Sequence, residues 1–193
     1  MLQLDNIVNS IFDSITWLLS ETESNRVWLV DCGDFDPIME KIETREVAGV
    51  LLTHAHFDHI YGLPKLIERY PSCVIYTNEI GRETLSDSRL NMSFYHETPL
   101  TVEGPQVHIC AEGDKISIFS DLATTVYETP GHHPSCLTFM IGGFLFTGDA
   151  YIHDIKVVTN LPRGDKKLAQ ESIVRILKMA DGKTICPGHY KNV

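Results

Sequence analysis

The stretch "VAGVLLTHAHFDH" (47–59) places three histidines and one aspartate within six positions, directly after a continuous apolar run. Such a run is typical of a strand that is buried on both faces of its sheet. His54 and His56 are two residues apart, so both imidazoles point to the same face if the strand continues through them. Asp58 and His59 are adjacent and follow a change of chain direction, so they cannot easily serve the same ion in the same geometry. The cluster predicts metal binding and already indicates two sites side by side.

Further ligands are expected at the ends of other strands, because metal sites gather residues that are distant in sequence. Three segments share one pattern, in which a strand-like run is followed by glycine and then by a ligand-type side chain. They carry His132 in "TPGHHPSC", Asp149 in "LFTGDAY" and His189 in "CPGHY". His133 is adjacent to His132 on an extended segment and is expected to point away from the site.

Short strand-like runs alternate with helical patterns along the chain. The predicted strands are 14–20, 26–31, 47–53, 73–77, 107–110, 115–120, 123–129, 136–141 and 144–149, and a short strand within 183–190. The predicted helices are 36–43, 61–70, 79–87 and 166–180. Asp36 before Pro37 is the predicted N-cap of the first helix, and Asp165 that of the last. The apolar stripe of the last helix is predicted to be Leu168, Ile173, Ile176 and Leu177. Helices interspersed with strand pairs favour a layered α/β sandwich over a doubly wound sheet.

Length and charge narrow the function further. A chain of 193 residues suits one domain, predicted over 1–193. The net charge of −10 and the absence of a basic block argue against a nucleic-acid surface, so a small-molecule substrate is expected. No basic, apolar leader and no run of about 20 apolar residues occurs, so a cytoplasmic protein without a membrane contact is expected. The five cysteines form no C-x-x-C pair and are expected to be buried, reduced thiols.

The ordered pattern H-x-H-x-D-H, followed by single H, D and H, resembles the metallo-β-lactamase superfamily over almost the whole chain. The resemblance implies an αββα sandwich, with two mixed β-sheets flanked by helices and a site at one edge of the sheets. The implied ligands are His54, His56 and His132 for a first metal, Asp58, His59 and His189 for a second, and Asp149 as a bridge between them. Asp31 in "WLVDCGD" matches the aspartate that supports the metal loop in this family. The implied cofactors are two divalent ions, zinc first, with iron or manganese as alternatives.

The predicted chemistry is hydrolysis. Two ions about 3.5–4 Å apart would generate a bridging hydroxide at neutral pH and stabilise a developing oxyanion. Asp58 is the predicted catalytic residue, which would orient the hydroxide and accept its proton. The segments "LSDSRLNMS" (85–93), "LPRGD" (161–165) and "PGHY" (187–190) are similar to the short glyoxalase II-like branch, which resembles hydroxyacylglutathione hydrolases. That resemblance favours thioester hydrolysis.

Substrate contacts are predicted at Arg163, His153 and Tyr190. Full-length glyoxalase II carries a C-terminal helical domain that grips glutathione, and this chain is expected to lack it, so glutathione recognition stays open. Arg163 is a candidate replacement for part of that anion grip. The alternatives are a persulfide dioxygenase with a single iron and a lactonase. A nucleic-acid phosphodiesterase and a non-catalytic metal-binding module fit the sequence less well.

Overall fold

The computed structural model describes residues 1–190 and contains two mixed β-sheets with helices on their outer faces. The first sheet has the order β1 (Leu2–Val8), β2 (Ile15–Glu21), β3 (Arg26–Val30), β4 (Glu46–Leu51), β5 (Val74–Thr77) and β6 (Val107–Ile109). The second has the order β11 (Thr184–Pro187), β10 (Phe144–Gly148), β9 (Leu137–Ile141), β8 (Leu122–Glu128) and β7 (Lys115–Phe119). The helices are α1 (Phe35–Ile42), α2 (Leu63–Arg69), α3 (Glu79–Leu85) and α4 (Lys166–Met179). The predicted αββα sandwich is confirmed.

The alternation of side chains along each strand divides the core into layers. In β2, Ile15 and Leu19 face the second sheet, where they join the buried Phe139 and Phe146. Leu18, between them, faces the layer that α1 and α2 cover. A smaller cluster under α4 packs Ile176 against the second sheet. Each sheet is therefore buried on both faces over much of its area, as the continuous apolar runs predict.

Two details of the helices differ from the sequence prediction. The first helix begins at Phe35, so Asp34 and not Asp36 occupies the N-cap position. The Asp34 carboxylate is engaged elsewhere, since it accepts hydrogen bonds from Ser10 N at 2.6 Å and Tyr61 Oη at 2.7 Å. This carboxylate therefore links the loop after β1, which contains Ser10, to Tyr61, which lies just before α2.

The predicted cap of α4 is confirmed, because Asp165 accepts from the backbone N–H groups of Lys167 and Leu168. Its predicted apolar stripe is wrong for two of the four residues, since Ile176 is buried and Ile173 half-buried. Ala169, Ser172 and Ile176 are the buried positions, whereas Leu168 and Leu177 are exposed. The reason is that the backbone of α4 lies very close to Gly131, where an added Cβ would be 2.2 Å from Ala169 N. Small side chains face that contact, and helical spacing from Ala169 then fixes which residues are buried.

Strand directions decide where the loops with ligand-type residues meet. β8 and β10 are both antiparallel to β9, and β11 is parallel to β10, so the C-terminal ends of β8, β10 and β11 lie at one edge of the second sheet. An isolated bridge between Ser14 and His189 joins this edge to the chain that enters β2. The two sheets therefore meet at the edge where the sequence predicts the metal ligands.

Two further expectations concern the chain as a whole. All five cysteines are buried and free, as predicted. Within residues 1–190, no helix is both long and apolar enough to cross a membrane.

Candidate metal centre

Seven side chains from five segments converge where the two sheets meet. His54 and His56 lie in the loop after β4, and Asp58 and His59 lie in a 3₁₀ turn that spans Phe57–His59. The other three follow β8, β10 and β11, in the order His132, Asp149 and His189. β4 already ends at Leu51, so a loop and not a continuing strand brings His54 and His56 to one side.

The first group consists of His54, His56 and His132, whose potential ligand atoms all lie within 4.8 Å of one another. His56 Nδ1 lies 2.9 Å from His132 Nε2. His54 Nε2 is buried and has no hydrogen-bond partner within residues 1–190. Burial, together with the nearby histidines, lowers the pKa of His56 to about 3 and that of His54 well below its ordinary value. These rings are neutral at pH 7 and offer lone pairs.

The second group consists of Asp58, His59 and His189. His189 Nε2 lies 3.2 Å from His59 Nε2 and 3.2 Å from Asp58 Oδ2. Asp58 Oδ2 is also 3.4 Å from His59 Nε2. Two imidazole nitrogens and one carboxylate oxygen therefore point at a common centre, which is a donor set that suits a borderline divalent cation.

Asp149 lies between the two groups and presents a different oxygen to each. Its Oδ2 lies 3.6 Å from His132 Nε2 in the first group. Its Oδ1 lies 3.5 Å from both His59 Nε2 and His189 Nε2 in the second. Asp149 Oδ1 is buried and, among the described residues, lacks a hydrogen-bond partner. A buried carboxylate oxygen without a partner is costly, which indicates that it is shaped to receive a cation.

Hydrogen bonds to backbone carbonyls on the far side of the rings orient two of the histidines. His132 Nδ1 donates to the Val158 carbonyl at 2.8 Å, and His189 Nδ1 donates to the Phe12 carbonyl at 3.0 Å. Carbonyl oxygens only accept, so these rings carry a proton on Nδ1, and Nε2 is the nitrogen that faces the centre. This arrangement is usual for histidines that bind metals.

Asp31 connects both groups through one carboxylate. Its Oδ2 lies 2.9 Å from His59 Nδ1 and accepts from Thr53 Oγ1 at 2.7 Å. Its Oδ1 accepts from the Thr53 backbone N–H at 2.8 Å. With its own proton committed to Asp31, the Thr53 hydroxyl can accept from His54 Nδ1, which is 3.2 Å away. The supporting role that the family resemblance implies for Asp31 agrees with these contacts.

Glycine at two positions permits this close packing. A Cβ on Gly188 would lie 2.3 Å from Asp149 Oδ1 and 2.9 Å from His59 Cε1. Gly148 has a φ of +51°, and a Cβ there would lie 2.3 Å from Thr53 Oγ1. The glycines before Asp149 and His189, which the sequence shows as a shared pattern, are therefore required by the space around the ligands.

These observations fit a pair of divalent cations. Two buried atoms without partners, His54 Nε2 and Asp149 Oδ1, face the centre. The donors divide into two sets of three, with one carboxylate between them. The arrangement can therefore hold two ions, and its mixed imidazole and carboxylate donors are compatible with zinc, iron or manganese.

The three predicted substrate contacts lie outside the two groups. Arg163 pairs with Glu83 at 3.2 Å, and its charge, in addition to burial, lowers the pKa of His133 to about 4. The exposed His153 lies 3.1 Å from Asp154. Tyr190 accepts a hydrogen bond from Asn6 Nδ2 at 2.7 Å. Their roles in substrate binding stay predictions.

Two residues near the centre were not anticipated. His133 is buried with its ring 4.9 Å from that of His56, and its Nδ1 is 2.7 Å from Ser135 Oγ. The His133 ring therefore contacts the ring of His56, a ligand residue, although His133 belongs to neither group. Ser14 Oγ donates to the Asp58 carbonyl at 2.6 Å and holds the 3₁₀ turn. No feature of the local sequence around Ser14 indicates this contact.

Comparison with known proteins agrees with this fold. Hydroxyacylglutathione hydrolase from Tolumonas auensis is 28% identical over 192 residues, which cover 98% of this chain and 66% of that protein. The chain thus spans just under two thirds of the length of this relative. Among solved structures, BLEG-1 B3 metallo-β-lactamase superposes with a TM-score of 0.88 at 25% identity, covering 98% of this chain and 92% of that one. TTHA1623, in a di-iron-bound form, superposes with a TM-score of 0.82 at 22% identity, covering 98% of this chain and 93% of that one.

The match to a family model extends over the sandwich from β2 to β11. Residues 12–189 match the metallo-β-lactamase superfamily, a range that contains all seven side chains of the two groups. The chain belongs to the metallo-β-lactamase superfamily.

Proposed function

We propose that this protein is a dinuclear metal-dependent hydrolase that cleaves thioesters. The observation that carries the proposal is the position of Asp149, which presents one oxygen to each group of three ligands. A fold relative that holds two irons supports the dinuclear assignment. The relative from Tolumonas auensis, a hydroxyacylglutathione hydrolase, supports the thioester substrate.

The two ions would be held by the groups described above, and their chemistry is simple to state. The first would be bound by His54, His56 and His132, the second by Asp58, His59 and His189, with Asp149 shared. When bound, the cations supply Lewis acidity, which lowers the pKa of water and withdraws electrons from a carbonyl oxygen.

Asp58 is the group that handles the proton. Burial alone would raise the pKa of its carboxyl, but in the absence of metal the charge of His59 and a hydrogen bond with His189 hold the pKa well below its usual range. Asp58 is therefore ionised at neutral pH, and its side chain is 14% exposed, so water can reach it. As the oxygen of water bonds to the carbonyl carbon and the carbon–sulfur bond breaks, Asp58 accepts the proton that water releases.

The leaving group explains why a thioester fits this site. A thiol has a pKa of about 8.5, so it departs as a thiolate that needs no proton donor. An amine leaving group would need a proton at the moment of cleavage. Asp58 serves as a base and not as a proton donor, so the site is better suited to thioester cleavage than to amide cleavage.

A lactam is a second candidate substrate, because BLEG-1 is a B3 metallo-β-lactamase with a TM-score of 0.88 against this chain. In a strained lactam ring, opening relieves strain and lowers the demand for a proton donor. Parallel measurement of thioester hydrolysis and lactam hydrolysis distinguishes the two substrate classes.

The decisive experiment combines metal analysis with kinetics on the purified protein. Metal content per chain is measured together with hydrolysis of S-lactoylglutathione, simple acyl thioesters and the lactam nitrocefin. Two ions per chain and preferred cleavage of thioesters support the proposal. Preferred cleavage of nitrocefin overturns the substrate assignment. One iron per chain with oxygen uptake overturns the dinuclear hydrolase.

A further inference from the structure

An apolar cavity of ≈ 490 Å³ lies beside the second ligand group and has no part in the mechanism above. The loop after β1, the 3₁₀ turn, α2 and the segment before β6 form its walls. Its main lining residues are Ile11, Phe57, Tyr61, Pro64, His96 and Leu100. The volume is within the range of pockets that bind small molecules.

The cavity adjoins the metal centre through two of its lining residues, Phe57 and Ile11. Phe57 lies between His56 and Asp58 in sequence, and its ring stacks on that of His96 with a centroid distance of 4.1 Å. On the other side, Ile11 precedes Phe12, whose carbonyl accepts the hydrogen bond from His189 Nδ1. A substrate whose carbonyl carbon lies next to Asp58 would therefore have its neighbouring atoms at the mouth of this cavity.

The chemistry of the lining indicates a neutral, apolar occupant. The Tyr61 hydroxyl is already committed to Asp34 at 2.7 Å, so it presents mainly its ring. Lys65 and Glu97 both line the cavity, and their opposite formal charges leave it without a net charge to attract an ion. Aromatic and aliphatic surfaces of this kind bind hydrocarbon by burying it from water.

We propose that this cavity binds the acyl group of the substrate and selects thioesters with medium-length or aromatic apolar acyl chains. The inference rests on the proposed thioesterase function and makes it more specific. The acyl chain extends past Phe57 towards Leu100 and His96. The substrate class is then apolar acyl thioesters, in preference to short, hydroxylated acyl groups.

A chain-length series tests the inference on the metal-loaded protein. The substrates are the acetyl, butyryl and hexanoyl thioesters of N-acetylcysteamine, which differ only in the acyl group. We expect kcat/KM to rise about fourfold per added methylene, which corresponds to burial of one CH₂ at about 0.8 kcal/mol. A flat series, or a preference for acetyl, overturns the assignment.

A steric variant and its matched control locate the effect. Thr98 is exposed and lines the cavity, whereas Thr101 is exposed on the same segment and does not line it. We expect Thr98→Trp to lower kcat/KM for the hexanoyl substrate at least tenfold and for the acetyl substrate by a much smaller factor, whereas Thr101→Trp should change neither. An equal loss on all substrates in Thr98→Trp would assign the effect to general disturbance and overturn the inference.

A binding measurement adds a readout that does not depend on turnover. Calorimetry with the non-hydrolysable ketone S-(2-oxoheptyl)-N-acetylcysteamine should show weaker binding to Thr98→Trp than to Thr101→Trp. If the wild-type protein is a dimer and Thr98→Trp dissociates it, the cavity binds a second copy of the chain, and the inference is overturned. If no thioester is cleaved at all, the proposed function fails; if all are cleaved without chain-length preference, only this inference fails.

Discussion

Asp31 Oδ2 lies 2.9 Å from His59 Nδ1, and the two side chains are 2% and 0% exposed. The same carboxylate oxygen accepts from the Thr53 hydroxyl, which in turn contacts His54. Asp31 has a φ of +61°, a left-handed conformation that aspartate and asparagine adopt more readily than other side chains. One residue thus orients a histidine in each ligand group, and asparagine is the substitution that keeps its backbone.

Asp31→Asn should weaken metal binding by about 10- to 100-fold while the fold is retained, because the amide can replace only one of the two acceptor oxygens. Competition with a chromophoric chelator measures the zinc affinity of each site, and circular dichroism checks the fold. Asp36→Asn, on the exposed side of α1, is the matched control. Unchanged affinity in Asp31→Asn would show that the carboxylate does not orient the ligands.

Asp58→Ala should lower kcat by a factor of about 10²–10⁴ with little change in the melting temperature, since the variant loses the proton acceptor. Steady-state kinetics on a thioester, at saturating metal, measures the loss. Asp121→Ala, at an exposed position, should retain full activity. If Asp58→Ala stays active with both ions bound, another group takes the proton and the role assigned to Asp58 is wrong.

Gly188→Ala should impair metal binding far more than a surface glycine substitution, because its Cβ would lie 2.3 Å from Asp149 Oδ1. Gly143→Ala is the matched control, since a Cβ there meets no atom within 4 Å. Plasma emission spectrometry of the purified variants gives the metal per chain. We expect a reduced content in Gly188→Ala and a wild-type content in Gly143→Ala; equal contents would contradict the steric argument.

Protein stripped of metal should lose stability as the pH rises from about 6.5 to above 9. Burial alone would lower the pKa of His189, but the nearby carboxylates of Asp149 and Asp58 raise it to about 9. A raised folded-state pKa adds stability that is complete below the unfolded pKa of about 6.5 and is lost as the pH passes through the folded pKa. The pKa of Asp149 is lowered to about 2, so this carboxylate does not titrate in that window.

Thermal melts of chelator-treated protein at several pH values measure this loss. His189→Asn should flatten the profile, whereas the exposed His153→Asn should leave its slope unchanged. A melting temperature that increases with pH over this range in the stripped wild type would contradict the assigned protonation of His189.

Most of the fold could be predicted from the sequence, because buried strands and helices carry strong periodic patterns. β1 was not predicted, since its Asp5 and Gln3 are exposed on an edge strand with only partial burial. The buried face of α4 was misjudged for a different reason. Ala169 and Ser172 are buried by the close approach of Gly131, a tertiary contact that hydrophobic periodicity does not register.

The candidate ligands could be recognised because a dense local motif and three repeated strand–glycine–ligand patterns identify them. The groups that orient these ligands were harder to find. The Val158 and Phe12 carbonyls act through the backbone, so their side chains carry no signature. His133 was expected to point away on an extended segment, whereas the folded loop returns its ring to His56.

The position of the ligands at the meeting edge has a consequence for how the protein assembles. Each group of three combines side chains that follow β4 in the first sheet with one that follows a strand of the second. Neither sheet alone contains a complete set, so each ion would act as a cross-link between halves that are distant in sequence. We therefore expect metal to bind at the end of folding, after the two sheets have docked. Bound metal should then slow the separation of the sheets during unfolding.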